Sequence, residues 1–593
     1  MTDTPAIFQA NIHTVDWRAP YRVPPAQAAT LIDPTGRAVE SLDGDWHFAI
    51  DPYDTCLRAR WFEEEYHDCD GRRYPVDFSF DQWQTTPVPS CWNLQSPQWF
   101  WYEGSAVYVR NVGFEAGPAG ERQFLHFEGA NYATYVFLNR EYVGWHRGGS
   151  TPFSFEVTGR LQADNRLVVV VVNTRRPDEV PTDNTDWFNY GGLHRGVSLV
   201  RLPASFIRDV HVALRPGSDF GVIDVRVEVD GAASGATVEL PELGVAEEFV
   251  VADGVGTAEL AVRPELWSPD NPRLYEVAVS TAEDRWQDRI GFREIRAEGN
   301  SLWLNGEEIW LKGICHHEES VERGRSLTAD DIRLNFALAK ELGCSYVRLA
   351  HYPHSRAAAR IADEVGLLLW EEVPVYWAID FGNPDTYADA ANQLAELIRR
   401  DRNRASVIIW SVGNENPDTD DRLAFMAGLA RLAKQLDPTR LTSAACLVDP
   451  SGPVIADRLV DHIDIIGINE YYGWYEPDFA QLVALFDNSR PAKPVVICEF
   501  GADAVAGRHG QADEMFTEEN QLAIYRQQLQ VLGGIEYVKG ISPWILYDFR
   551  CPRRAHVDHG YYNRKGLLDA TRTQRKLAFT ELQRFYARKA ATG

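Results

Sequence analysis

Between residues 406 and 417 the chain reads SVIIWSVGNENP, which combines an apolar strand with a polar end. The run from Val407 to Val412 is rich in β-branched residues, as is typical of a strand buried on both faces. It ends in Asn414 and Glu415, so a carboxylate follows a buried strand directly. Burying an ionised carboxylate without a partner is costly. Glu415 is therefore paired, exposed to solvent or retained for chemistry.

Seven more apolar runs of this kind lie in the second half of the chain. They read IWLKGICHH, SYVRLAHYP, LLLWEEVP, LTSAACLV, IDIIGINEYY, PVVICEFG and KGISPWILYDF. Helical segments separate them; one follows Thr328, which with Asp331 predicts a capping box, and ends at Gly343. Eight strands alternating with helices predict a (β/α)8 TIM barrel over residues 295–593.

The first half of the chain has a different pattern. Short strands separated by Gly, Pro and Asn turns predict a jelly-roll β-sandwich in residues 1–203. Residues 204–294 keep the β pattern, with alternation at Val225, Val227 and Val229, over a length that suits one immunoglobulin-like sandwich. We therefore expect a multidomain protein with two β-sandwiches and a C-terminal barrel.

Composition excludes several classes of function. The formal charge of −27 argues against a nucleic-acid partner, because such binding depends on basic patches. The beginning of the chain lacks a basic segment followed by an apolar stretch, and no run is long enough to span a membrane, so we expect no membrane partner and a cytoplasmic location. The eight cysteines form no CxxC pair, so neither a metal site nor a disulfide framework is expected, and no cofactor.

In a barrel of this kind the catalytic residues lie at the C-terminal ends of the strands. The polar residues that end the predicted strands are His316, His317 and Glu318; Arg348 and His351; Glu371 and Glu372; Asn414 and Glu415; Asn469, Tyr471 and Tyr472; Glu499; and Trp544. Apolar strands deliver Glu415 and Glu499, and two carboxyls near aromatic side chains suit glycosidic bond cleavage. One carboxyl protonates the leaving oxygen and the other attacks C1, and a separation of about 5 Å selects the retaining route.

Two other interpretations stay open at this point. Each glutamate could be a salt-bridged structural residue. The HHEE stretch at residues 316–319 offers part of a metal-ligand set, as in a metal-dependent barrel hydrolase, although it is more often a hydrogen-bonded loop.

The motifs also resemble glycoside hydrolase family 2 over nearly the whole chain. They are LDGDWHF, GGSTPFSFEVT, LWSPDNPRLY, GFRE, LNGEEIWLKGICHHEE, VRLAHYP, WSVGNE and CEFG. The resemblance implies a sugar-binding-like jelly roll, an immunoglobulin-like sandwich and a catalytic barrel. It implies Glu415 as general acid/base, with a raised pKa, Glu499 as nucleophile, and Asn414 as a ligand of the sugar 2-hydroxyl.

Within the family, INEYYGWY, EFGADAVAGRHG and DWFNYGGLHR resemble β-glucuronidases. This likeness implies a retaining exo-β-glycosidase acting on terminal β-D-glucuronides, and a homo-oligomer, dimer or tetramer. The residues implied to bind the sugar are Asp186, reaching in from the first domain, His317, Asn469, Tyr471, Tyr475 and Trp544. For Tyr471, Tyr475 and Trp544 the alternative is packing at the rim of the barrel.

The stretch Asn563-Arg564-Lys565-Gly566 resembles the element by which β-glucuronidases hold the substrate carboxylate, which implicates Asn563 and Lys565. The enteric enzymes carry an arginine four residues before this asparagine, where the present chain has His559. Arg553 or Arg554 could replace it, or the pocket accepts another sugar. The alternatives are a β-galactosidase or β-galacturonidase of the same family and, outside this class, a catalytically inactive carbohydrate-binding protein.

Overall fold

The computed structural model describes residues 21, 24–67, 72–115, 117–448 and 452–592. The chain forms two compact units. Among the described residues, one unit comprises those up to 175 together with 189–208 and 230–232, and the other comprises 176–188, 209–229 and those from 233 onward.

The first unit contains two antiparallel sheets. In spatial order the smaller sheet consists of Val39–Ser41, Val197–Leu202, Arg122–Phe127 and Phe153–Glu156. The larger consists of Thr85–Val88, Gly44–Asp51, Ser105–Gly113, Asp164–Val172, Ala133–Leu138 and Glu141–Arg147. Trp46 and Tyr108 of the larger sheet share a buried cluster with Leu125 and Phe127 of the smaller one, so the core lies between the sheets. This confirms the predicted β-sandwich.

A seven-stranded antiparallel sheet follows. In spatial order its strands are Phe206–Leu214, Ile223–Asp230, Val255–Leu260, Val245–Ala252, Gly235–Leu240, Tyr275–Ser280 and Arg285–Ile290. Val225, Val227 and Val229 are buried while their neighbours are partly exposed, as their alternation predicts. A small sheet of Ile295–Glu298, Ser301–Leu304 and Glu307–Ile309 precedes the barrel.

The barrel is closed and its eight strands are parallel, as predicted. The strands are β1 (Leu311–His316), β2 (Tyr346–Leu349), β3 (Leu368–Glu372), β4 (Val407–Asn414), β5 (Leu441–Cys446), β6 (Ile466–Asn469), β7 (Val495–Glu499) and β8 (Val538–Ile541). Every residue of β4 is buried, including Asn414. The first predicted run is divided, because its beginning pairs in the small sheet and only β1 enters the barrel.

Helices surround the strands. The α-helices are Ala329–Leu342, Arg356–Val365, Pro384–Asp401, Asp420–Leu436, Phe479–Asn488, Glu518–Leu532 and Leu577–Thr592, and a 3-10 helix, Arg458–His462, lies between β5 and β6. The predicted capping box is present, since the Thr328 hydroxyl accepts from Asp331 N and the Asp331 carboxylate accepts from Thr328 N. Gly343 ends that helix at a φ of 93°, which only glycine adopts readily. Among the helices of the described ranges, none has the length and apolarity to cross a membrane.

The segment 176–188 belongs to the same compact unit as the barrel. Val180 is buried in the barrel's outer core, and its carbonyl accepts a 2.7 Å hydrogen bond from Gln393 Nε2. The Asp178 carbonyl accepts a 2.8 Å hydrogen bond from Thr386 Oγ1. Thr386 and Gln393 both lie on the helix Pro384–Asp401. Asp186, which we expected to reach in from the first domain, is therefore part of the unit that contains the barrel.

Candidate active site

Glu499 is the last residue of β7, and its carboxylate is almost fully buried. Its Oε1 accepts a 2.6 Å hydrogen bond from Arg348 Nη1, and its Oε2 accepts a 2.7 Å bond from the Tyr471 hydroxyl. His351 Nε2 lies 3.7 Å from Oε1. Both carboxylate oxygens are therefore held in position by donors from other strand ends.

Arg348 connects the ends of four strands. This fully buried side chain donates from Nη1 to Glu499, from Nε and Nη2 to Glu372, and from Nη2 to Asn414 Oδ1 at 2.8 Å. Although burial opposes it, the charges of Glu372 and Glu499 keep the pKa of the guanidinium raised. Glu372 also binds His351 Nδ1 at 2.8 Å. A buried cation with several anionic partners fixes the geometry of the groups around it.

Glu415 follows β4 directly and adopts a φ of 53°. This left-handed conformation is uncommon for a residue with a side chain and is found at functional sites. Its Oε2 accepts a 2.7 Å hydrogen bond from Trp377 Nε1, and the side chain is only partly exposed. Burial, followed by the charge of Glu499, raises the pKa of the Glu415 carboxyl. A carboxyl with a raised pKa beside a second carboxylate suits proton donation to a leaving oxygen.

Two amides adjoin the glutamates, since Asn414 precedes Glu415 and Asn469 pairs in register with Glu499. Asn414 Oδ1 accepts from Arg348 and also from Asn469 Nδ2 at 3.2 Å. Asn414 Nδ2 and Asn469 Oδ1 are buried, and neither has a hydrogen-bond partner among the described residues. An unpaired buried donor and acceptor are costly unless a ligand satisfies them. The pair can therefore receive a hydroxyl group, which both donates and accepts.

Aromatic rings form one wall of the site. His351 stacks on Trp544 with 4.9 Å between ring centres, and His317 meets the same indole edge to face at 5.2 Å. His317 Nδ1 lies 3.1 Å from the Tyr352 hydroxyl, while its Nε2 has no partner within the described ranges. Burial lowers the pKa of His317 well below its usual range, followed by the influence of His351. The imidazole is therefore neutral.

A second group of polar side chains surrounds Lys565. Lys565 Nζ donates to buried Asp503 Oδ2 at 2.6 Å and to the Tyr475 hydroxyl at 3.0 Å. Arg554 Nη1 donates to the same hydroxyl at 3.2 Å, and its Nη2 donates to Asp186 Oδ2 at 3.1 Å. Two cations thus meet at one phenol oxygen.

Asn563 completes this cationic cluster of Asp186, Tyr475, Asp503, Arg554, Asn563 and Lys565. Its Nδ2 donates to Asp186 Oδ2 at 3.2 Å, and its Oδ1 accepts from Lys565 N at 3.1 Å. His559 Nε2 lies 3.5 Å from Asp503 Oδ1. The sequence offered Arg553 and Arg554 as replacements for the arginine that enteric β-glucuronidases carry at the position of His559. Arg554 lies in the cluster, whereas Arg553 lies over the Trp377 ring.

The structure brings the candidate residues into two adjacent groups. Around the strand ends lie Asn414, Glu415, Asn469, Tyr471, Glu499, His317 and Trp544; in the cationic cluster lie Asp186, Tyr475, Asn563 and Lys565. The groups touch where Tyr471 and Tyr475 pack with 5.3 Å between ring centres. Tyr475 is 53% exposed, and its hydroxyl accepts from both Lys565 and Arg554.

Sequence reasoning missed two residues of the site. Trp377 carries no motif, and its hydrogen bond to Glu415 depends on a loop conformation. Asp503 lies within EFGAD, four residues after Glu499. A charged residue so close to the end of a buried strand could have indicated that Asp503 belongs to the site. The two glutamates of the HHEE stretch accept hydrogen bonds from backbone N–H groups: Glu318 Oε1 accepts from Ser355 N, and Glu319 Oε1 accepts from Arg550 N.

Family models match almost the whole chain. The glycosyl hydrolases family 2 sugar binding domain matches residues 39–203, a model described as glycosyl hydrolases family 2 matches residues 205–293, and the family 2 TIM barrel domain matches residues 295–588.

Individual proteins agree with this assignment. A beta-glucuronidase of Paenibacillus borealis is 27% identical over 600 residues, which covers 92% of this chain and 96% of the relative. A crystal structure of a family 2 beta-galacturonidase from Eisenbergiella tayi bound to galacturonate is 26% identical with a TM-score of 0.79, covering 95% of this chain and 98% of that one. A structure of a Bifidobacterium dentium beta-glucuronidase complexed with coumarin-3-O-glucuronide is 25% identical with a TM-score of 0.83. The match covers 93% of this chain and 97% of that one. The chain therefore belongs to glycoside hydrolase family 2 and is a glycoside hydrolase.

Proposed function

We propose that the protein is a retaining exo-β-glycosidase that hydrolyses terminal β-D-glucuronides, with Glu415 as general acid/base and Glu499 as nucleophile. The observation that carries the choice of sugar is the cationic cluster, in which Lys565 and Arg554 meet at the Tyr475 hydroxyl. A uronate carboxylate entering a secluded pocket needs cationic and amide donors to replace its water.

The cluster retains donors for such a carboxylate. An ammonium group has three N–H donors. Within the described part of the chain Lys565 Nζ donates to Asp503 and to Tyr475, which leaves one N–H available. Arg554 Nε is buried and has no hydrogen-bond partner in the described part of the chain. The cationic cluster thus contains an unused lysine donor and an unused arginine donor, and a carboxylate with two oxygens can accept from both.

The reaction has two steps. In the first, a Glu499 oxygen attacks C1 while Glu415 gives its proton to the glycosidic oxygen, so the C1–O bond breaks and the aglycone leaves as an alcohol. In the second, Glu415 removes a proton from water, whose oxygen attacks C1 and releases Glu499. The raised pKa of Glu415 supports the first step, because the acid must begin protonated.

The neighbouring residues have positioning roles in this scheme. Arg348 and Tyr471 orient the nucleophile, and the free Asn414 amide donor meets the sugar 2-hydroxyl, a contact that strengthens at the transition state. His317, Tyr475 and Trp544 line the sugar pocket, and Asn469 offers an acceptor oxygen. The proposed domains are 1–203, 204–294 and 295–593, with residues 176–188 of the first contributing to the compact unit that contains the barrel.

A β-galacturonidase is the second candidate. The cluster recognises the C6 carboxylate, which glucuronate and galacturonate share, and a solved relative with a TM-score of 0.79 is a beta-galacturonidase. A β-galactosidase binds a neutral sugar, which needs no pair of cations at this position.

A panel of nitrophenyl β-glycosides tests the proposal at one pH. We expect kcat/KM to be highest for the glucuronide, lower for the galacturonide, and lowest for the galactoside, glucoside and mannoside. A galactoside hydrolysed faster than either uronide overturns the assignment, and a galacturonide preference selects the second candidate.

Substitution of Lys565 gives the sharper test, but Lys565→Ala alone would leave the buried Asp503 carboxylate without its ion-pair partner. Breaking a buried ion pair by removing one partner costs roughly 3–5 kcal/mol. We therefore pair Lys565→Met with Asp503→Asn, which removes both charges together. Glucuronide turnover should fall by about two orders of magnitude or more while residual galactoside turnover changes little. Equal losses on both substrates contradict a uronate-binding role.

A further inference from the structure

A cation outside the cationic cluster is linked to the proposed acid through one tryptophan. The Arg553 guanidinium carbon lies 4.4 Å from the centre of the Trp377 ring. Trp377 Nε1 in turn donates a 2.7 Å hydrogen bond to Glu415 Oε2. Arg553 is therefore two contacts away from the carboxyl that protonates the leaving oxygen.

This position determines which part of a substrate Arg553 can meet. The acid protonates the oxygen that joins the sugar to its aglycone, so the aglycone is attached at the atom that Glu415 reaches. The sugar's C6 carboxylate is assigned to the cluster around Lys565, with Arg554. Adjacent arginines thus serve different ends of the substrate, with Arg554 partly buried and paired and Arg553 exposed.

The chemistry of Arg553 indicates what it would bind. Within the described ranges the Arg553 side chain makes no ion pair, and the aromatic ring that it contacts is that of Trp377. Stacking on an indole orients a guanidinium but leaves its N–H groups available. A planar guanidinium matches a carboxylate through two parallel hydrogen bonds. In a chain with a formal charge of −27, a cation at this point also offsets repulsion of an acidic leaving group.

We propose that Arg553, stacked on Trp377, forms a leaving-group subsite for aglycones that carry a carboxylate, such as the next acidic sugar of a uronate-containing saccharide. The proposal rests on the proposed role of Glu415. It does not depend on which sugar occupies the pocket.

Two matched substrates test it: the 3-carboxy-4-nitrophenyl and 3-carbamoyl-4-nitrophenyl β-glucuronides. The measured quantity is kcat/KM for the carboxy substrate divided by kcat/KM for the carbamoyl substrate, determined for each enzyme. The different reactivity of the two leaving groups cancels when this ratio is compared between variants. In Arg553→Gln this ratio should fall by about ten-fold, the effect of losing one charge-assisted pair. Arg553→Lys should give an intermediate ratio, since it retains the charge and loses the planar fork.

Arg431→Gln is the control for overall charge, because Arg431 is an exposed arginine on the helix Asp420–Leu436. Its ratio should stay within about two-fold of the wild-type ratio. Displacement of Trp377 by the Arg553 substitution would slow both substrates alike and leave their ratio unchanged. A wild-type ratio in Arg553→Gln overturns the proposal.

The same two leaving groups on β-galactosides separate this inference from the choice of sugar. If glucuronides prove to be poor substrates but the ratio on galactosides falls in Arg553→Gln, the subsite stands and the uronide assignment fails. If glucuronides are good substrates and the ratio does not change, the uronide assignment stands and the subsite fails.

Discussion

Arg348 holds Glu499 through a 2.6 Å hydrogen bond from Nη1 to Oε1. The cation is fully buried and shares its remaining donors with Glu372 and Asn414. The carboxylate at the end of β7 is thus oriented before substrate arrives, and its position depends on side chains from β2, β3 and β4. Such preorganisation is what an attack on C1 needs, because misplacement by 1 Å can cost about a hundred-fold in rate.

Glu499→Gln should abolish turnover of every glycoside. The amide keeps the shape of the side chain but cannot form the glycosyl-enzyme intermediate. The measurement is single-turnover hydrolysis of a nitrophenyl glycoside, with the thermal midpoint as a check on folding. A folded variant with wild-type activity would remove Glu499 from the nucleophile role.

Glu415→Ala should slow substrates with poor leaving groups far more than nitrophenyl glycosides. A good leaving group departs with little help from an acid, whereas an alcohol requires its proton. Azide should rescue the second step by attacking the glycosyl-enzyme directly, which gives a β-azide product detectable by mass spectrometry. Equal losses across leaving groups with no azide product would contradict the acid/base assignment.

Trp377→Phe should move the alkaline limb of the kcat/KM profile to higher pH. The indole N–H donates to Glu415 Oε2, which favours the ionised form and lowers the pKa. Without this bond the acid holds its proton to higher pH, because burial and the Glu499 charge still raise its pKa. An alkaline limb that moves down or stays in place would show that the hydrogen bond does not control the acid.

Glu470 should make stability depend on pH. It is buried and accepts from Gln528 Nε2 at 2.9 Å and from Tyr472 N at 3.1 Å. Burial, opposed by these two bonds, raises its pKa to about 8. The folded state therefore binds a proton that the unfolded state releases above about pH 4.3. The stabilisation is complete below that pH and is lost as pH rises through about 8.

Glu470→Gln removes this titration. Between pH 5 and 8 the free energy of unfolding of the variant, measured in urea, should decline less steeply than that of the wild type. Parallel declines would show that Glu470 is not the titrating group.

The barrel could be predicted from the sequence because its strands are buried on both faces. Such strands read as continuous apolar runs, and β4 and β7 also carry their polar ends at the position where catalytic residues collect. The last strand was predicted too long, since only Val538–Ile541 pairs in the barrel. The residues that follow it form the loop that carries Trp544, where apolar composition reflects burial without strand pairing.

The contacts between loops could not be predicted. Trp377 reaches Glu415 from a φ of 51°, and no sequence pattern specifies that conformation. Arg553 and Arg554 are adjacent in sequence and equal in charge, yet one stacks on Trp377 and the other pairs with Asp186. Loop geometry decides such differences, and periodicity carries no information about it.

The placement of residues 176–188 limits how this enzyme can be divided. A gene fragment beginning at the barrel's own first strand would encode all eight strands and both glutamates, yet it would omit Asp186, which binds Arg554 and Asn563. It would also expose the site that Val180 fills in the outer core of the barrel. Recombination that exchanges barrels between relatives at the apparent domain junction would therefore separate Asp186 from Arg554 and Asn563, so the cationic cluster is encoded by a discontinuous piece of chain.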